Sequence, residues 1–180
     1  TDIDVILRPD FKTIRNVPWY TDPTAQVICD AVNLNGTNVI TSSRNVLKKI
    51  IKLYEEISLQ PIVSPELEFY LVKPNPDPDY PLEVPVGQSG RKETGKQSFG
   101  IDAVNEFDPL FEDVYNYCEE QKIEIDTINH ESGSAQMEIN FQHGDPLDLA
   151  DQVFIFKRTL RQSALKHKLY ATFMAKPMEN

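Results

Sequence analysis

Two short stretches of this chain carry carboxylates where a strand would favour other residue types. In PELEFYL (65–71), Glu66, Glu68 and Tyr70 fall on one face of an extended segment and Leu67, Phe69 and Leu71 on the other. In AQMEINF (135–141), Gln136, Glu138 and Asn140 likewise oppose Met137, Ile139 and Phe141. Glutamate is a poor strand former, and like charges at i and i+2 repel along a face. Glu131, in the turn NHESGS just before the second stretch, adds a further carboxylate, and no Lys or Arg is interleaved on these faces. If the strands meet, the carboxylates converge and must be neutralised by protonation, basic partners or hard cations. An all-oxygen cluster suits Mg²⁺ or Mn²⁺ rather than Zn²⁺, and such ions usually accompany phosphate substrates. The pattern therefore points to metal-dependent phosphoryl transfer. A sheet with one face in water that merely tolerates its glutamates also stays open on these residues.

Other reactive side chains carry less. His130 beside Glu131 is a ligand or base candidate, but a lone turn histidine more often only hydrogen-bonds. His143 reads as a loop residue and His167 as a cation at a helix end. Lys157, Arg158, Arg161, Lys166 and Lys168 lie on the polar face of an amphipathic segment, a solvated face or subunit contact. The glycines of GQSGRKETG (87–95) match neither a Walker loop nor a dinucleotide fingerprint. Cys118 reads as core.

The elements that must hold the carboxylates follow from periodicity. DVILRPD (4–10) and AQVICDAVN (25–33) read as strands, the latter with one wetter face. A helix starts at Ser42 or Ser43, with Val46, Leu47, Ile50, Leu53, Tyr54 and Ile57 at helical spacing, and Pro61 ends it. IVSPELEFYLV is a strand. Residues 73–98 hold five of the thirteen prolines and three of the seven glycines, and form a long exposed loop. Asp108-Pro109 and Asp145-Pro146 each pair a cap with a first-turn proline. The first opens a helix to about Lys122. The second opens the longest helix, striped by Leu149, Val153, Phe156 and Leu160. Strands IEIDTI, SAQMEINF and YATFM complete an α+β pattern, an antiparallel sheet with helices packed on one face.

Composition narrows the partners. Among 180 residues, 28 acidic against 18 basic side chains give a net charge of −10. That balance opposes nucleic-acid and anionic-membrane surfaces, so neither partner is expected. No apolar run approaches the ~20 residues that span a bilayer. Cys29 and Cys118 lie far apart without metal-ligand spacing, and a reducing cytoplasm is the default compartment.

SPELEFYL (64–71), HESGSAQMEINF (130–141) and ATFMAKPM (171–178), in this order, resemble the glutamine synthetase family, in its bacterial, type-I-like branch. The resemblance runs over essentially the whole chain. It implies ATP-dependent ligation of an amine to the γ-carboxylate of L-glutamate through a γ-glutamyl phosphate. It also implies a cytoplasmic ring-forming homo-oligomer. Residues 1–41 then correspond to the end of a β-grasp domain, and 42–180 to the first part of the catalytic domain. Carried over by motif, Glu68, Glu131 and Glu138 are ligands of the first Mg²⁺ or Mn²⁺, and Glu66 of the second, which bridges the ATP phosphates. Phe141 falls where the nucleotide pocket begins, and Glu131 and Phe99 neighbour the amine site.

QSFGIDAV (97–104) lacks an aromatic hydroxyl at Phe99 that ammonia-using members carry there. That stretch, PDPDYPLEVPVG (76–87) and EFDPLFEDVYNYC (106–118) resemble γ-glutamylpolyamine (γ-glutamylputrescine) synthetases more closely. A polyamine or other amine is thus the expected acceptor, with ammonia the alternative and a non-catalytic relative a further one. The family's catalytic histidine and its substrate-holding arginines would follow Asn180. The chain as written is accordingly expected to be an incomplete polypeptide, inactive alone.

Overall fold

A computed structural model of the chain describes residues 4–178. It has α+β architecture, divided between two compact units, residues 1–64 with 143–154 and residues 65–142 with 155–180.

In the first unit, β1 (Val5–Pro9) pairs antiparallel with β4 (Cys29–Asn33), Leu7 opposite Ala31. Between them, β2 (Arg15–Asn16) pairs with β3 (Ala25–Gln26). The strand expected over 25–33 is thus broken at Val27–Ile28. The cause lies in a 3₁₀ turn, Phe11–Thr13. Ile28 donates its N–H to Thr13 Oγ1 and accepts from the Asp10 N–H, each at 2.9 Å, which bends the chain away from β2. On β4 the inward face is Asp30 and Val32. A buried aspartate needs a partner, and α1 (Ser43–Glu56) supplies it. Arg44 reaches Asp30 at 2.6 Å, Asp10 at 2.7 Å and Asp151 at 2.8 Å, and Lys48 reaches Asp30 at 2.6 Å. Ser42 sits at the N-cap of α1, but its side chain makes no capping bond. The apolar stripe of α1 is half in water, with Val46 45% and Leu53 49% exposed.

In the second unit, β5 (Glu66–Val72), β6 (Ile125–His130), β7 (Gln136–Phe141) and β8 (Tyr170–Thr172) form one antiparallel sheet in the order β6-β7-β5-β8. Its inner face is fully buried at Phe69, Leu71, Met137 and Ile139. The helix α4 (Pro146–Lys166) begins in the first unit and ends here. Asp145 caps it, accepting from the N–H groups of Leu147 and Asp148. In the second unit its Phe156 ring meets Phe141 edge-on, with centroids 5.2 Å apart, and Leu160 continues the buried stripe. The helix α2 (Ile101–Asn105) was not foreseen, and α3 (Asp108–Gln121) follows it. The hydroxyl of Thr159 on α4 donates to Gln121 Oε1 of α3 at 2.6 Å inside the core. The basic run is occupied in part. Lys157 and Arg161 stand over the Phe173 ring. Lys166 and His167 both hold Asp113.

No helix among the described residues is long and apolar enough to cross a membrane. Both cysteines are free thiols. Cys118 is core as expected, 1% exposed, and burial pushes its thiol up to about 12. Thiolate is the nucleophile, so iodoacetamide at neutral pH is expected to modify half-buried Cys29 and spare Cys118. Peptide mass spectrometry of the folded protein checks this, and equal labelling of both would contradict the packing.

Candidate metal centre

Strand register brings the predicted carboxylates to one face. Glu68 on β5 stands directly opposite Glu138 on β7, Glu66 opposite Asn140, and Tyr70 opposite Gln136. From β6, Asn129 faces Glu138 and Thr127 faces Asn140. From β8, Thr172 faces Tyr70. Residues directly opposed in antiparallel strands share a face, so this surface carries carboxylates, amides and hydroxyls with no Lys or Arg among these strand positions. Like charges opposite each other destabilise a sheet. Here amides intervene. Gln136 donates from Nε2 to Glu68 Oε2 at 2.7 Å, and Asn140 donates from Nδ2 to Glu138 Oε1 at 3.1 Å.

Glu131 follows the last residue of β6 and belongs to the same electrostatic group. Burial, then the charges of Glu138 and Glu68, push its carboxyl above the ordinary range. Burial and the charges of Glu68 and Glu131 raise the Tyr70 hydroxyl as well. Two groups of different chemistry thus report one negative field. The turn that presents Glu131 is tight. Gly133 donates its N–H to Gln136 Oε1 at 2.8 Å, and a Cβ at Gly133 would lie 2.7 Å from Tyr70 and from that same amide oxygen. Only glycine fits between these two side chains.

The donor set fits a hard divalent cation in chemistry: it is all oxygen and excess negative charge. Asn140 Oδ1 adds a buried oxygen with no hydrogen-bond donor among the described residues. Among the described residues no three His, Cys, Asp or Glu side chains stand close enough as placed to hold an ion together. An ion would therefore have to draw the carboxylates inward against their repulsion. Glu66 and Glu68 are exposed, Glu68 with one oxygen held by Gln136, whereas Glu131 and Glu138 are half-buried.

Other candidates fall elsewhere. His130 is the end of β6 rather than a turn residue, and it stands opposite Met137, on the core face, with no exposed surface. It is a hydrogen-bonding residue, held at Nε2 by Glu93 (3.2 Å) and at Nδ1 by the Glu131 carbonyl (2.6 Å). Phe141, expected near a nucleotide, turns its ring into the core against Phe156, away from the carboxylate face. Phe99 is 74% exposed in a left-handed conformation, and its N–H donates to the His130 carbonyl at 2.8 Å, which ties its backbone to the residue before Glu131. Sequence reading missed Glu93 altogether. It lies in GRKETGK, which looks like a solvated loop, yet it is 8% exposed. Little local marks it, because two of its partners, His130 and Ala135, are 37 and 42 residues away.

The site is thus the outer face of an antiparallel sheet in an α+β protein, and comparison with known proteins supplies its family. Residues 41–180 match the family model described as glutamine synthetase, catalytic domain. The chain belongs to the glutamine synthetase family. It is 32% identical to a glutamate–isopropylamine ligase of a Pseudomonas species, over 97% of this chain and 37% of that protein. It is 33% identical to γ-glutamylputrescine synthetase of Escherichia coli K12, over 90% and 35%. It is 30% identical to glutamine synthetase of Mycolicibacterium smegmatis, over 97% and 38%. The chain thus spans little more than a third of the length of these curated relatives. Among solved structures, Plasmodium falciparum glutamine synthetase aligns with a TM-score of 0.82 at 20% identity, covering 97% of this chain and 38% of that one. A ligand-free GmaS aligns at 0.80 and 22%, covering 99% and 40%. These two likenesses concern the fold.

Proposed function

We propose that the protein to which this chain contributes is a carbon–nitrogen ligase that joins an amine to the γ-carboxylate of L-glutamate at the expense of ATP. The reading rests chiefly on one observation: Glu68 and Glu138 oppose each other in register while Glu131 is charge-coupled to both. Glu68, Glu131 and Glu138 would hold one Mg²⁺ or Mn²⁺, and Glu66 a second. Divalent ions in such a place neutralise phosphate charge and polarise the transferred group. The residues of this chain supply the rest. Glu131 and its neighbours favour a cationic amine over a neutral one, so the acceptor collects there before losing its proton. Gln136, buried opposite Tyr70, donates to Glu68 and orients it.

The acceptor we favour is an alkylamine or polyamine. Phe99, whose backbone is tied to the residue before Glu131, presents an exposed ring without a hydroxyl, and such a ring suits methylene groups better than ammonium. Both amine-using and ammonia-using relatives are about equally similar, so identity alone does not choose between them. We further assign residues 1–41 to the end of a β-grasp domain and 42–180 to the start of the catalytic domain. Assembly into a homo-oligomeric ring in the cytoplasm completes the reading.

The test is phosphate release by the whole protein with glutamate, ATP and Mg²⁺, comparing putrescine, spermidine, isopropylamine and ammonium. Release is expected to be at least tenfold more efficient with one of the alkylamines than with ammonium. Ammonium as the best acceptor would restore the ammonia-using alternative, and amine-independent or absent turnover would defeat the ligase reading.

A further inference from the structure

The Glu131 carboxylate can serve an ion only if its turn is held still, and the bonds within the turn, from Glu131 N–H to the Gln136 carbonyl and from Gln136 N–H to the Gly133 carbonyl, are joined by others from outside it. Residues 131–135 include a glycine and end at Ala135 in a left-handed conformation (φ 53°). One buried side chain from elsewhere in the chain reaches both of its ends. Glu93 Oε2 accepts the Ala135 N–H at 3.0 Å at the far end, and lies 3.2 Å from His130 Nε2 at the near end. His130 passes the restraint on, its Nδ1 contacting the carbonyl of Glu131 itself at 2.6 Å. The Glu131 N–H is fixed in turn by the Gln136 carbonyl at 2.8 Å. The second oxygen of Glu93 is steadied by Gln97 Nε2 at 2.6 Å. Burial pushes the Glu93 carboxyl up, but the hydrogen bonds from His130 and Ala135 outweigh it and hold it below the ordinary range. It is therefore ionised where it sits, and its lone pairs are committed to this turn.

We propose that Glu93 is a positioning residue: by spanning His130 and Ala135 it locks the turn that aims Glu131 at Glu68 and Glu138, and so sets the affinity of the carboxylate face for a divalent cation. This rests on the metal-site reading above. Glu93 does not touch the ion. It acts through His130 and through the backbone on either side of Glu131. Removing outer groups that orient metal ligands typically weakens binding about 10–100-fold.

The experiment is Mn²⁺ titration of the chain followed by the electron paramagnetic resonance signal of the free ion, at 25 °C. Glu93→Ala is expected to weaken Mn²⁺ binding at least tenfold. Glu93→Gln keeps the size and one acceptor oxygen for the Ala135 N–H but turns an amide donor toward Gln97 Nε2, and is expected to recover part of the loss. Val114→Ala, a cavity in α3 remote from the turn, lowers stability without touching these bonds and is expected to leave affinity unchanged. Glu93→Ala binding within threefold of wild type, or Val114→Ala losing as much, would overturn the assignment. Should Glu93→Ala fail to fold, His130→Gln is read in its place against the same limits. A wild type that binds no Mn²⁺ sinks the metal-site reading and this inference with it. Binding that Glu131→Gln weakens but Glu93→Ala leaves intact sinks only the inference.

Discussion

Replacing Arg44 by Met is expected to cost the first unit about 3–5 kcal/mol at neutral pH, because it strands buried carboxylates without their counter-charge. Arg44 is 12% exposed in its side chain and is shared by Asp10, Asp30 and Asp151, whose side chains are 26%, 8% and 11% exposed. Lys48 would remain for Asp30, but its single ammonium cannot replace a planar fork that reaches three carboxylates. Arg44→Lys is expected to recover only part of the loss. The pH dependence carries its own sign. The hydrogen bond from Arg44 holds the Asp10 carboxyl below its ordinary 3.8. Burial pushes Asp30 up, but bonds from Lys48 and Arg44 outweigh it, and its carboxyl too lies below 3.8. Groups with lowered folded values stabilise above the unfolded value, and the contribution is lost as pH falls through the folded one. The gap between wild type and Arg44→Met should be full above about pH 5 and shrink below 3.8. Urea unfolding at pH 7 and pH 3 measures it. A gap that is constant with pH would mean that packing, not charge, dominates the site.

Millimolar Mn²⁺ is expected to raise the melting temperature of the chain, and Glu68→Gln to abolish most of that rise. A ligand at a hundred times its dissociation constant stabilises by about 2.7 kcal/mol. For a chain of this size that is roughly 5–10 °C. Glu68 is the sensitive position because it lies opposite Glu138, accepts from Gln136 and contributes to the field at Glu131. Its substitution has an opposite effect without metal. Removing one of several repelling carboxylates should leave the metal-free protein no less stable than wild type, so the loss of the Mn²⁺ shift cannot be put down to a weakened fold. Differential scanning fluorimetry with and without Mn²⁺, using Ca²⁺ as a second ion, gives both quantities. If neutralising Glu66 and Glu68 stabilises the sheet and Mn²⁺ shifts nothing, the glutamates are a solvated face and no more.

Alternation carried most of what was legible beforehand. The two-residue period placed Glu66, Glu68, Glu138 and Asn140 on one face and Phe69, Met137 and Ile139 on the other, and the register agrees with that division. The Asp145-Pro146 device marked the start of α4, and its stripe of Leu149, Phe156 and Leu160 is buried. What stayed illegible depends on contacts far apart in sequence. Asp30 looked like a residue for a wet face and is buried, because Arg44 and Lys48 reach it from the next element. Val27–Ile28 has strand propensity, yet Thr13 and Asp10 take its hydrogen bonds. His130 and Glu93 are unremarkable where they stand in the chain and meet only after β6 and the loop at 93–99 are in place. Phe141 belongs to the apolar half of its strand, and strand parity decided its ring's direction over motif position.

The pleat of β5 and β7 also acts as a partition. Each outward-facing residue sits between two that face inward, so the exposed positions Glu66 and Glu68 can change without disturbing the packing beneath. A lineage that keeps Leu67, Phe69, Met137 and Ile139 is at liberty to vary its loops, while the same backbone continues to hold Glu68 opposite Glu138.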